Sequence, residues 1–172
     1  ANISGAHLNP FVSLSMYLTK RIKGKELLTF IPAQILGCLL GVMLANVFFE
    51  HSIIELSTKN RDGFHIFLSE IVATFGLIFI IFATLKDGKT TVAACVATYI
   101  SAGYWFTSST SFANPAVAIA RTFTDSFTGI NYLNTPTYIF AELLGAIVAI
   151  YIIKRLIKYC LLYTSPSPRD TG

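Results

Sequence analysis

The sequence predicts an all-α membrane protein: an inverted repeat of membrane-crossing helices with two re-entrant half-helices. Three observations predict it. Of 172 residues, 53% are apolar and only 13% are charged, against about 25% charged in soluble domains. Four apolar runs, residues 27–49, 64–85, 90–106 and 137–153, approach or exceed the ~17–25 residues of a membrane-spanning helix. Finally, an Asn-Pro pair occurs twice, in "NPFVSLSMYL" (9–18) and "NPAVAIARTF" (114–123).

The elements follow in chain order. The first half-helix leads into a basic cluster of Lys20, Arg21, Lys23 and Lys25, and the first apolar run comes next. Residues 50–62, with Glu50, Glu55, Lys59, Arg61 and Asp62, separate the first run from the second. Lys86, Asp87 and Lys89 separate the second run from the third, the shortest and most polar of the four. Residues 107–136 carry only Arg121 and Asp125 as charges and contain the second half-helix. Lys154, Arg155 and Lys158 follow the fourth run. Short loops rich in Lys and Arg stay on the cytoplasmic side. The three basic clusters are therefore expected inside and the other two connections outside.

In each half-helix Asn stands at the N-cap, where its side chain accepts orphan backbone hydrogens. Pro10 and Pro115 follow at the first helical position, where a missing N–H costs nothing. Ten helical residues rise only ~15 Å, half the hydrocarbon thickness of ~30 Å. Two such segments entering from opposite faces would meet, amino ends together, near the bilayer centre. Irregular backbone at that depth must be buried in protein or line a watery cavity. Residues 4–8 and 109–113, which feed the caps, are thus expected to present carbonyls to water. Helix starts and the Asn9 and Asn114 amides would supply donors at the centre and a barrier to cations.

The repeat extends further. "FIPAQILGCLLG" (30–41) and "YIFAELLGAIVA" (138–149) share an Ala, then Gln34 or Glu142, then a Gly three residues on. Inverted repeats with broken helices at the midplane are a transport architecture. Gly37, Gly41, Gly76 and Gly145 suit close helix contact. Glu70 and Glu142 lie inside apolar runs, where an ionisable group is costly and turns towards protein or water. Tyr104, Trp105 and Phe106 form an expected interfacial aromatic belt, or one of them narrows the outer passage.

These residues together resemble the aquaporin (major intrinsic protein) family. "SGAHLNP" is similar to its first signature, "FANPAVAIAR" to its second, and "SEIVATFGLIFIIFAT" to its fourth membrane helix. The resemblance covers residues 1–158. It implies six helices plus two half-helices, one pore per subunit and a homotetramer. By that alignment this chain holds the first half-helix, helices three to five, the second half-helix and helix six, as a fragment would. Glu70, and with it Glu142, is implied to accept hydrogen bonds from irregular loop backbone, and His7 is expected to bond loop backbone too. Where the family keeps Ala beside the first Pro, this chain has Phe11, whose ring is expected to turn into the protein; the second copy keeps Ala116.

The filter departs from water-selective members. Their Arg, three residues after the second Asn, is Val117 here, and their His, twelve residues before it, is Ala102 with Gly103 beside it. Together with Ser111, these residues imply a wider, less cationic constriction that admits larger uncharged solutes. "TSSTSFANPAVAIAR" resembles a bacterial subgroup associated with arsenic handling, which implies arsenite and other neutral metalloid acids as cargo. Arg121 lies one helical turn beyond Val117. Either it supplies a displaced positive charge at the outer mouth, or it snorkels to the interface and ties down the outer loop.

The function expected is a passive channel for water and small uncharged, glycerol-like solutes in a multi-pass protein of the plasma or inner membrane. Its partners would be those solutes and membrane lipids. A secondary transporter with broken helices, or a non-conducting fragment, are the rival readings. No nucleophile–base spacing, phosphate loop or metal-ligand cluster suggests an enzyme or a cofactor. Cys38, Cys95 and Cys160, and His7, His51 and His65, are scattered. The net charge of +4 sits in clusters between apolar runs, which argues against nucleic acid. Residues 159–172 turn Ser/Pro-rich and read as a translated cloning adaptor or a disordered terminus.

Overall fold

The computed structural model describes residues 3–164, with side chains described to residue 156. Helix α1 (Pro10–Leu18) is capped by Asn9, whose side chain accepts from the N–H groups of Phe11 and Val12. It stops at Thr19, whose hydroxyl donates back to Ser15 O at 2.8 Å, and Lys20 then turns the chain with φ +61°. Helix α2 (Gly24–Phe48) begins with the Lys23 N–H bonded to the Glu26 carboxylate at 2.7 Å. Pro32 lies inside it and deletes one ladder donor.

Helix α3 (Phe64–Thr84) passes through a 3-10 turn (Leu85–Asp87) to Gly88, and α4 (Lys89–Phe106) follows. Helix α5 (Pro115–Ala120) is capped by Asn114 and tightens into a second 3-10 turn at Arg121–Phe123. The second half-helix is therefore six α-helical residues and one tighter turn, rather than a uniform ten-residue helix. Thr122 contributes, donating its hydroxyl to Ile119 O at 2.7 Å, three residues back. Helix α6 (Thr135–Thr164) closes the described chain, so the boundary expected at residue 158 falls inside a helix. Residues 165–172 of the expected tail lie outside the described residues.

Among the described residues, three helices are long and apolar enough to cross a membrane: α2, α3 with its 3-10 turn, and α6. Helix α4 falls short, because Lys89, Thr90, Thr91, Thr98 and Ser101 dilute its 18 residues. It docks on α3 by driving the Tyr99 ring over Gly76, and the Tyr99 hydroxyl donates towards Val72 O and Ala73 O at 3.1 and 3.2 Å. A Cβ at Gly76 would collide with that hydroxyl.

Helices α3 and α6 make the most extensive pairing. At Gly145 the α6 backbone approaches so closely that a Cβ would strike the Ile71 carbonyl of α3. Ala146 and Ala149 continue that close face, and Val12 and Met16 of α1 join the same core. Gly37 and Gly41 serve differently from the expectation of close helix contact: nothing stands within 4 Å of a Cβ at either position.

The two connections expected outside are bound to each other. Ser57 N donates to Thr122 O at 2.9 Å, and Asn131 N to Lys59 O at 2.8 Å. Arg61 donates to Gly129 O (3.0 Å), Phe127 O (2.6 Å) and Thr110 Oγ1 (3.4 Å). Asn46, buried at the end of α2, donates to Phe123 O at 2.9 Å. At the other end of the fold, Arg21 stacks over Phe82 near the end of α3.

Candidate functional site

The two half-helices meet at their amino ends. The Asn9 side chain donates Nδ2–H to Ala113 O at 2.6 Å, and Asn114 donates Nδ2–H to Leu8 O at 2.9 Å. Each carboxamide therefore caps its own helix through Oδ1 and ties the loop that feeds the other. An amide carries two N–H groups, so each has one left over. The carbonyls of Leu8 and Ala113 each accept one of these amide bonds, and each oxygen has a second lone pair.

The repeat is also written in the backbone. Counting back from each Asn, the residues four, three and one before it have positive φ in both copies: Gly5, Ala6 and Leu8, then Thr110, Ser111 and Ala113. Five of these six are not glycine, and each such residue costs roughly 1–2 kcal/mol. Strain of that size persists only where surrounding bonds over-determine it.

For the second loop those bonds come from two buried acids. Glu70 accepts from Phe112 N at 2.9 Å and from Ala113 N at 2.8 Å, one to each carboxylate oxygen. Glu142 Oε1 accepts from Asn114 N at 2.9 Å, and its Oε2 has no protein partner. Three successive backbone N–H groups are thus held by two acids. The first loop uses neutral groups. His7 Nδ1 bonds Ser13 Oγ at 3.1 Å instead of loop backbone, and Gln34, at the repeat position of Glu142, donates to the same Ser13 oxygen at 2.9 Å. Ser13 is fully buried, and sequence reasoning missed it. Its place on the inward face of a capped half-helix was the available signal.

Two cavities flank α5. The inner one, about 680 Å³, has an apolar wall of Leu77, Ile81, Val92, Val96 and Ile100. Its opposite wall is polar: the Gly5–Asn9 loop, then Ser111, Ala113 and Asn114. Arg21 and Lys89 line its basic end. The outer cavity, about 750 Å³, lies between α2 and the turn after α5. Val117 and Arg121 alone among the described residues line both.

Around that junction, Ser111 lines the inner cavity, and its Oγ has no protein partner. Ala102 is exposed and lines neither cavity. Its neighbour Gly103 is buried, and a Cβ there would meet Ser111 Oγ at 2.6 Å. Counting twelve residues back from Asn114 crosses an irregular loop, and an error of one residue turns a helix face by ~100°. Tyr104 lines the inner cavity, while Trp105 points outward. Phe11 packs against the core of α1, α3 and α6 and lines neither cavity. Pro10, Pro115 and Ala116 are buried at the junction. The Arg121 guanidinium lies 4.4 Å over the Phe112 ring, inside the protein rather than snorkelled to an interface.

Two capped half-helices meeting head to head between full-length apolar helices define a multi-pass integral membrane protein with a polar-lined centre. Residues 1–106 match the family described as Major intrinsic protein. Aquaglyceroporin AqpS of Rhizobium meliloti is 43% identical over 156 residues, a match covering 91% of this chain and 67% of that protein. Aquaporin-4 of Bos taurus is 29% identical and that of Homo sapiens 27% identical over 157 residues, covering 86% of this chain and 48% of each relative. The chain belongs to the major intrinsic protein family, and it spans about half the length of aquaporin-4.

Proposed function

We propose that the whole protein is a passive channel for water and small uncharged solutes, glycerol-like in size and working without a catalytic step. The observation that carries this reading is the inner cavity, apolar along α3 and α4 and polar along the two loops, with Asn9 and Asn114 on the polar side. A solute passing there keeps hydrogen bonds on one side while it sheds water on the other. At the junction it meets amide N–H groups, which donate to a neutral oxygen and oppose a cation.

A coupled transporter would need ionisable groups facing the passage. Glu70 and Glu142 line neither cavity, and three of their four oxygens bond loop backbone. That favours the channel. Val117, an apolar residue at the junction of the cavities, supports passage of solutes larger than water, neutral metalloid acids such as arsenite among them. The relatives' names, aquaglyceroporin and aquaporin, agree with passage of water and glycerol-like solutes. The outward apolar face of α2, including Leu36, Leu40 and Leu44, suits lipid or neighbouring subunits of a homotetramer.

The test is stopped-flow light scattering on vesicles holding the full-length protein. Water and glycerol permeability above protein-free vesicles is expected, with a low activation energy. Permeability equal to that of the empty vesicles would overturn the reading.

A further inference from the structure

Two guanidinium groups flank the Phe112 ring, and they differ in a way that separates structure from selection. Arg61 stands 5.9 Å from the ring centroid and spends its donors on Gly129 O, Phe127 O and Thr110 Oγ1. It staples the outer loops. Arg121 stands closer, at 4.4 Å, and its Nη1 is buried without any protein partner. A buried unpaired guanidinium donor is costly, so a position that keeps one points to an acceptor that comes and goes.

We propose that Arg121 is the cation-excluding residue of the passage and a hydrogen-bonding station for uncharged solutes bearing hydroxyl oxygens, polyols and neutral oxyacids as a class. With Val117 it alone among the described residues lines both cavities, so a solute moving between them passes its side chain. The Phe112 ring lies against the guanidinium, with Cζ 4.4 Å from its centroid, a contact that leaves Nη1 without a protein acceptor. Phe112 is itself fixed: its N–H is held by Glu70, and its ring packs on Tyr138 with centroids 5.0 Å apart. Tyr104 of α4 also interacts with the guanidinium. The charge is thereby held at the junction, where the low dielectric strengthens its repulsion of a passing cation. A hydroxyl oxygen, by contrast, accepts a bond from Nη1 and pays no such penalty.

The inference rests on the channel reading above, and one experiment separates the two. Full-length protein in vesicles is assayed for water and glycerol permeability and for potassium conductance under an imposed gradient. The wild-type protein is expected to pass water and glycerol and to hold potassium at the protein-free level. Arg121→Ala is expected to raise potassium conductance about tenfold or more and to lower the glycerol-to-water permeability ratio about threefold. Arg121→Lys, which keeps the charge, should restore potassium exclusion, and Arg121→Gln, similar in reach but neutral, should leak like Arg121→Ala. The Gln variant serves if the Ala variant is not recovered folded. Wild-type flux with Arg121→Ala and Arg121→Gln indistinguishable from it would overturn this inference alone. No wild-type flux at all would overturn the channel reading and this inference with it.

Discussion

Asn9 and Asn114 hold each other's loops: the amide of Asn9 bonds the carbonyl just before Asn114, and the amide of Asn114 bonds the carbonyl just before Asn9. The 104- and 106-residue sequence separations of these bonds make them the covalently most remote side-chain links of the junction. Each Asn supplies a helix cap worth ~1 kcal/mol and a clasp bond worth ~1 kcal/mol. Asn9→Ala and Asn114→Ala should each lower unfolding stability in detergent by about 2 kcal/mol. Because the two bonds share one apex, the double variant should cost less than the sum. Strict additivity in a thermal double-mutant cycle would show that the clasps act independently.

The two acids should respond unequally. Both oxygens of Glu70 are used, so Glu70→Ala strands two buried N–H groups at roughly 1–3 kcal/mol each. Glu142→Gln keeps the oxygen that accepts from Asn114 and alters only the unpartnered one. It should change stability by less than about 1 kcal/mol. Melting temperatures of the two variants, side by side, check the order; a reversed order would contradict it.

Gly103, rather than Ala102, governs the wall opposite the second loop. A Cβ there meets Ser111 Oγ at 2.6 Å. Gly103→Ala should cost about 1–3 kcal/mol through overpacking and reduce glycerol flux, whereas Ala102→Ser should leave both unchanged. Flux and melting measured on both variants decide which residue faces the passage.

Val117→Arg places a long cationic side chain at the junction of the two cavities. Glycerol permeability is expected to fall several-fold more than water permeability, since the larger solute loses the room first. Equal reductions for both solutes in stopped-flow traces would argue against Val117 as a size determinant.

The outer loops carry a pH dependence of their own. Asp125 is held below its ordinary carboxylate value, first by the Thr58 N–H; desolvation opposes this less strongly, and the Thr58 hydroxyl adds a still smaller lowering. A lowered folded-state value means the clasp contributes fully above the unfolded value of ~3.9 and is lost as pH falls through the lower folded value. Protection of the Thr58 amide, relative to its intrinsic exchange rate, should therefore fall as pH drops below about 3.9. Asp125→Asn should flatten that change.

Much of the fold was legible because it rests on local rules. Asn9-Pro10 and Asn114-Pro115 name two helix starts wherever they occur, and both start helices here. Apolar runs set three membrane-length helices among the described residues, with α6 continuing past the expected end at 153, since hydrocarbon leaves the backbone no alternative to internal bonding. The 18-residue α4 was harder: its polar content conceals a helix that gains its place by seating Tyr99 on α3.

What the sequence determined by itself is the parts: two capped half-helices, the full-length helices between them, and the family. Local propensity and solvent transfer decide those, and both act over a few residues. The tertiary structure alone decided which residues face one another across the centre. It exchanged the Leu8 and Ala113 carbonyls between the two amides, put Gly103 in place of Ala102, and turned Phe11 into the core. It also laid Arg121 on Phe112 with a donor to spare. Those outcomes depend on helix phase across irregular loops with positive φ, where one residue of register rotates a face, and on buried acids too far along the chain for any local rule to connect.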